Sequence, residues 1–186
     1  MMYRSFSQTV HHYRLLQSAA HRYVVDAANR NRIVAAPLRV GFIDDGALDA
    51  WAATWAGRRD PAAAGGWSWP VLHARLRRPS AFHLAIWSGP VLCGLALGRV
   101  SKTRPVGRKH TVSVDFMEGA PFPHPLRGSI ALLTVAFAEA YGRAVGARRL
   151  RLVQPLPGAM PIYLRLGFDV VHSGGRAIYC DRRIDP

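Results

Sequence analysis

The stretch from His110 to Val145 constrains the fold more than any other part of the chain. From His110 to Met117 the residues alternate, with Val112, Val114 and Phe116 on one face and Thr111, Ser113 and Asp115 on the other, which is the period of a half-buried strand. Glu118-Gly119-Ala120-Pro121 ends that strand, and prolines 121, 123 and 125 forbid further ladder bonding because each lacks a backbone N–H. From Arg127 to about Val145 the period changes to that of a helix, with Leu132, Leu133, Ala136, Phe137, Ala140 and Tyr141 at core spacing. A strand and a long amphipathic helix joined by a stiff loop have to be layered on one another, so the chain belongs to the mixed α/β (α+β) class.

The flanking segments agree with that class. Tyr13, Leu16, Ala20, Tyr23, Val24 and Ala27 recur at helical intervals and predict an amphipathic helix over roughly residues 7 to 30. Its apolar stripe needs a partner, either the rest of the chain or a second copy in a homodimer. We therefore separate an N-terminal helical extension, residues 1–36, from the main domain, residues 37–186. A strand from Leu38 to Ile43 runs into Asp44-Asp45-Gly46, where either carboxylate caps a helix holding Leu48, Trp51 and Trp55. After the breaker-rich linker Asp60 to Gly66, Trp67, Trp69, Leu72 and Leu76 form another apolar helical face. Ala81 to Trp87 and Val91 to Val100 read as a hairpin turned at Ser88-Gly89-Pro90. Arg149 to Gln154 is a further strand, followed by a short helix before Gly167 and by strands near Phe168 to His172 and Arg176 to Cys180. This totals about six to seven strands, mostly antiparallel, flanked by helices.

Composition narrows the partners without choosing among them. The formal net charge is +14 and only Lys102 and Lys109 are lysines, so the charge is carried by arginine, the better bidentate partner for phosphate. Nucleic acid such as tRNA, anionic lipid and phosphorylated cofactors are all compatible with it. Arg99, Lys102, Arg104, Arg108 and Lys109 form a basic run between two expected strands. Apolar segments such as Val91 to Leu97 and Ile130 to Ala138 fall short of the ~18 residues of a membrane span. Cys93 and Cys180 have no Cys or His neighbours at ligand spacing, so neither a metal site nor a disulfide framework is expected, and a reducing cytoplasm fits best. Trp51, Trp55, Trp67 and Trp69 either line a ligand pocket or, as their helical spacing favours, pack the core.

Two short segments carry the chemistry. Arg127, Gly128 and Ser129 open the long helix, where free backbone N–H groups hold a phosphate well. Downstream, Met160 to Phe168 reads MPIYLRLGF, with Tyr163 four residues before the Gly167-Phe168 pair. This order of elements, and Tyr163, Gly167 and Phe168 in particular, resembles the GNAT superfamily of N-acetyltransferases over roughly residues 38 to 181.

The resemblance implies an acyl-CoA N-acyltransferase fold that moves an acetyl group from acetyl-CoA to the primary amine of a small molecule, a peptide or a charged tRNA. It implies that Tyr163 protonates the departing sulfur and that a base sits at the end of the fourth strand, with Glu118 the first choice and Asp115 the second. Coenzyme contacts are expected from Phe116 and Met117 through their backbone, and from Arg127, Gly128, Ser129 and Ile130. The chain departs from the family in two places. The phosphate loop, usually (Gln or Arg)-x-x-Gly-x-(Gly or Ala), has a single glycine in His124-Pro125-Leu126-Arg127-Gly128-Ser129-Ile130. Leu156 stands where the family often has an asparagine, beside the expected pantetheine arm. The single-glycine loop supports the alternative to this enzyme, a catalytically silent module of the same fold that binds nucleic acid or a protein partner through its basic surface.

Overall fold

A computed structural model of the protein describes residues 6–32, 37–58, 65–102, 110–173 and 177–185. Helix α1 (Phe6–Arg30) precedes strand β1 (Leu38–Phe42), and helices α2 (Asp45–Thr54) and α3 (Trp69–Arg75) lead to the hairpin β2 (Ala81–Ser88) and β3 (Val91–Lys102). Then come β4 (His110–Gly119), α4 (Ile130–Ala144), β5 (Ala147–Val153), a 3-10 turn (Pro157–Ala159), α5 (Met160–Arg165), β6 (Asp169–Ser173) and β7 (Ala177–Arg183). The strands form one seven-stranded sheet in the order β1-β2-β3-β4-β5-β7-β6. Every neighbouring pair is antiparallel except β4 and β5, which run parallel because α4 carries the chain back between them.

Each face of the sheet has its own core. Phe82, Leu84 and Ile86 of β2 point to the face covered by α1 and α4, where they meet Ala20, Val24, Leu133 and Phe137. Ala85 and Trp87, the alternate residues of the same strand, point to the face covered by α2 and α3, with Leu95, Leu97, Trp55 and Trp69. Ala20, Val24 and Ala28 of α1 are thus buried in the chain's own core with Tyr13 and Leu16 packed against it, whereas Tyr23 of the expected stripe is exposed. Trp55 and Trp69 are core residues, and Trp51 and Trp67 pack against them. Asp44 is the residue that caps α2, accepting from the amide of Ala47 at 2.9 Å. Among the described residues, no helix is long and apolar enough to cross a membrane.

Two expectations are corrected by the structure. The long helix begins at Ile130 and not at Arg127, because Gly128 adopts φ +85°, a left-handed conformation that no residue inside a right-handed helix takes. The alternation of β4 breaks at Asp115. The register of β3 against β4 shifts between Leu97, opposite Phe116, and Gly98, opposite Val114, leaving Asp115 as the extra residue of a β-bulge. The bulge turns Phe116 to the α3 face and returns Met117 to the α4 face, against the simple period of two. Gly98 permits it: a Cβ there would stand 2.0 Å from the Ser113 carbonyl oxygen and 2.4 Å from the Phe82 ring. Within the basic run, Arg104, Arg108 and Lys109 lie outside the described residues, whereas Arg99 is part of β3.

Candidate active site

The site is a gap in the sheet. Parallel pairing of β4 with β5 runs from His110 opposite Ala147 to Val114 opposite Leu152 and then stops. Beyond the bulge β4 continues to Gly119, while β5 ends at Val153 and Gln154 turns away at φ 48°, its amide donating to the Ile178 carbonyl at 3.0 Å. The ladder between β4 and β5 thus covers only the first half of β4. Backbone direction alternates along a strand, and the amide of Ala120 donates to Cys93 of β3 at 2.9 Å. Glu118 and Phe116 therefore aim their backbone groups at β3, and Met117 aims its own into the gap. Of the two residues expected to offer a backbone donor, Met117 has its amide on the gap side of β4 and Phe116 has its amide on the β3 side. The Phe116 ring packs edge-on against Trp67, with centroids 5.3 Å apart.

The start of α4 sits at the open end of this gap. Ile130, its first residue, is buried with its side chain over the paired glycines Gly94 and Gly119, where a Cβ on Gly94 would come within 2.8 Å of it. Seating Ile130 there leaves its backbone at the mouth. The amides of the first helical turn have no carbonyl one turn earlier to bond, so they face outward. The amide of Ser129 is taken by the Leu126 carbonyl at 2.9 Å, closing the turn in front of them. Gly128 is exposed, with no atom within 4 Å of where its Cβ would stand, and Arg127 beside it is exposed too. His124 is held below its usual pKa by burial and by Arg127, and so stays neutral in front of the loop.

Tyr163 projects from α5 into the core on the α4 face, 7% exposed, with its ring edge-on to Phe168 at 6.3 Å. Burial, and then the neighbouring Cys180, push its phenol above the usual value. Cys180 pairs with Leu152, which pairs with Val114, so Tyr163 lies level with the point where the strands part. Leu156 precedes the 3-10 turn in extended conformation and is 40% exposed.

The two candidate carboxylates have opposite surroundings. Glu118 is buried and occupied at both oxygens: Oε2 accepts from the Trp69 indole N–H at 2.6 Å and Oε1 from the Gly66 amide at 3.1 Å. Asp115, at the bulge, lies 3.2 Å from Arg99 Nε in an ion pair, and among the described residues neither of its buried oxygens accepts a hydrogen bond of good geometry. Burial raises its carboxyl above the ordinary carboxylate range against the opposing pull of Arg99 and Ser113. The roles of Trp69 and Gly66 in holding Glu118 left no local signal in the sequence.

A sheet in this order, opened between its two parallel central strands and with a helix start at the opening, is the fold of the GNAT N-acetyltransferases. PaiA N-acetyltransferase from Thermoplasma acidophilum, solved in complex with coenzyme A, is similar over 79% of this chain and 99% of its own, at 11% identity and TM-score 0.53. A proposed acetyltransferase of the GNAT family from Desulfovibrio desulfuricans is similar over 81% of this chain and 100% of its own, at 16% identity and TM-score 0.54. A proposed acetyltransferase from Salmonella typhimurium, solved with its cofactor acetyl-CoA, is similar over 80% and 94%, at 15% identity and TM-score 0.50. No protein-family model and no curated protein sequence matches the chain.

Proposed function

We propose that the protein is an acetyl-CoA-dependent N-acyltransferase acting on a primary amine of a small molecule or peptide. The observation that carries this reading is the half-length ladder between β4 and β5, with the Met117 backbone facing the gap and the first turn of α4 at its mouth. Such a track suits pantetheine amides pairing like an added strand, and a diphosphate resting on the amides of Ile130 and its neighbours beside Gly128, Ser129 and Arg127. The coenzymes held by two solved structures of this fold support the same ligand.

Acetyl-CoA, when bound, supplies the activated acyl group. The rest of the chemistry falls to this chain. The Met117 N–H donates to negative charge developing on the carbonyl oxygen. Tyr163, kept protonated by burial, holds the proton that the leaving sulfur takes up. Asp115, raised in basicity by burial, ion-paired to Arg99 and without a close hydrogen-bond donor among the described residues, accepts the proton of the attacking amine. We reassign the base from Glu118 to Asp115 on this ground, because two donors already occupy Glu118. Leu156, half-exposed before α5, is read as an apolar contact for the pantetheine arm.

The test is a thermal-shift titration with acetyl-CoA and with desulfo-CoA, joined to a thiol-release assay with a panel of primary amines. Both coenzymes should stabilise the parent protein. Gly128→Asp, which sets a carboxylate against the diphosphate, should lose both shifts. Tyr163→Phe should keep them while releasing thiol about 100-fold more slowly. A parent protein indifferent to both coenzymes overturns the reading. The single-glycine loop then favours the silent module, which DNA or tRNA should stabilise in a salt-sensitive way.

A further inference from the structure

A cavity of about 350 Å³ opens at the edge of the sheet, between the first half of α1, the end of β1, the start of β2 and the C-terminal end of α3. It is separate from the acyl-transfer cleft: His83 in its wall lies on β2 and pairs with Leu97, and Leu97 pairs in turn with Phe116 of β4, so β3 stands between. Arg14, Arg77 and Arg78 line it, and among the described residues no carboxylate does. Asp45, at the start of α2, acts on His73 from outside the lining. Three guanidinium groups around one concave surface repel each other, and they focus a positive field on whatever occupies it.

The remaining lining divides into an apolar part and a hydrogen-bonding part. Phe42 lies beneath the Arg14 guanidinium, 5.3 Å from ring centre to Cζ, and Phe6 stands at the rim with 73% of its surface exposed. His73 and His83 meet Nδ1 to Nδ1 at 2.8 Å, and His83 Nε2 lies 3.1 Å from the Leu76 carbonyl oxygen. A carbonyl only accepts, so the network assigns the proton of His83 to Nε2 and leaves its Nδ1 as acceptor. His73 must then donate from Nδ1, which leaves its Nε2 a bare acceptor. Burial holds His83 down to about 4, so the pair is neutral at physiological pH.

The geometry points to a second ligand site at this edge, for a small organic anion that joins a carboxylate or phosphate to an apolar ring. Arg77, Arg78 and Arg14 hold the acid group, Phe6 and Phe42 flank the ring, and His73 Nε2 accepts from any hydroxyl or amine the ligand carries. The site does not depend on the acyl-transfer reading.

The test is titration of the full chain, followed by calorimetry and by imidazole resonances in NMR, with phenyl phosphate and benzoate as probes. Benzyl alcohol and inorganic phosphate are the controls, each with and without saturating CoA. At least one of the two aromatic anions should bind saturably, unaffected by CoA, and shift the His73 and His83 signals. Which one does so separates phosphate from carboxylate ligands. Both controls should bind at least about tenfold more weakly, and Arg77→Ala should weaken the anion by about tenfold. Arg14, Arg77 and Phe6 are exposed, so Arg14→Ala, Arg77→Ala and Phe6→Ala should melt as the parent does. Absence of saturable binding by either anion, displacement by CoA, or binding that survives both Arg14→Ala and Arg77→Ala overturns the proposal.

Discussion

The indole N–H of Trp69 donates to Glu118 Oε2 at 2.6 Å, which ties the first turn of α3 to the far end of β4. Trp69 is 0% exposed and Glu118 6%, so water does not replace the bond when it is lost. Trp69→Phe keeps most of the packing and leaves a buried carboxylate oxygen without its strongest donor. Stability should fall by about 2 kcal/mol, read from the urea midpoint at constant slope. An unshifted midpoint would show that the bond contributes nothing.

Asp115 and Glu118 should separate cleanly in kinetics. With Asp115 as base, the rate rises with pH as its carboxyl loses its proton, and burial sets that limb above the ordinary carboxylate range. Asp115→Asn should remove the limb and lower kcat/KM by about 100-fold. Glu118→Gln should retain the limb and change mainly stability. If Glu118→Gln erases the limb and Asp115→Asn does not, the base has been misassigned.

The bulge at Asp115 rests on a missing side chain. Gly98→Ala would drive a Cβ to 2.0 Å from the Ser113 carbonyl oxygen, where backbone and not a flexible side chain has to give way. We expect a loss of about 3 kcal/mol in chemical denaturation. A neutral substitution would mean that the two strands can re-register around Asp115.

His21 gives the fold an acid sensitivity. Its ring stacks on Phe137 at 4.9 Å and meets Phe42 edge-on at 4.8 Å, and among the described residues its buried Nε2 has no hydrogen-bond partner. Burial, then Arg22, lowers its pKa from 6.5 to about 4. Between those values the unfolded chain binds a proton that the folded one refuses, so stability falls as pH falls from 6.5 toward 4, and the loss is complete below that window. Each such histidine contributes up to about 1.4 kcal/mol per pH unit, and His83 titrates in the same window. His21→Phe should keep the stack and roughly halve the decline in urea midpoint between about pH 6.5 and 5. An undiminished decline would exclude His21 as its source.

What the sequence disclosed follows from the range of the forces involved. The hairpin at Gly89, the cap at Asp44 and the proline-stiffened exit from β4 are local, and each was legible in a few neighbouring residues. The start of α4 was misjudged by three residues because apolar spacing continues back through Arg127, while the positive φ of Gly128 leaves no trace in periodicity. The side of the sheet that Phe116 faces depends on Gly98, a strand away, and could not be read from alternation. Glu118 looked available because its two donors lie 49 and 52 residues earlier in the chain. Tyr163 and Phe168 meet because α5 ends at Arg165 and Gly167, at φ 79°, turns the chain so that the two rings come edge-on.

Since parallel pairing ends at Val114, the seven strands amount to two plates joined along a short seam, β1 to β4 on one side and β5 to β7 on the other. One helix bolts them together: α4 seats Ile130 over Gly94 and Gly119 of the first plate, and its Glu139 pairs with Arg182 of the second. The width of the opening therefore depends on how α4 is clamped to both plates as well as on the short seam between the strands that border it.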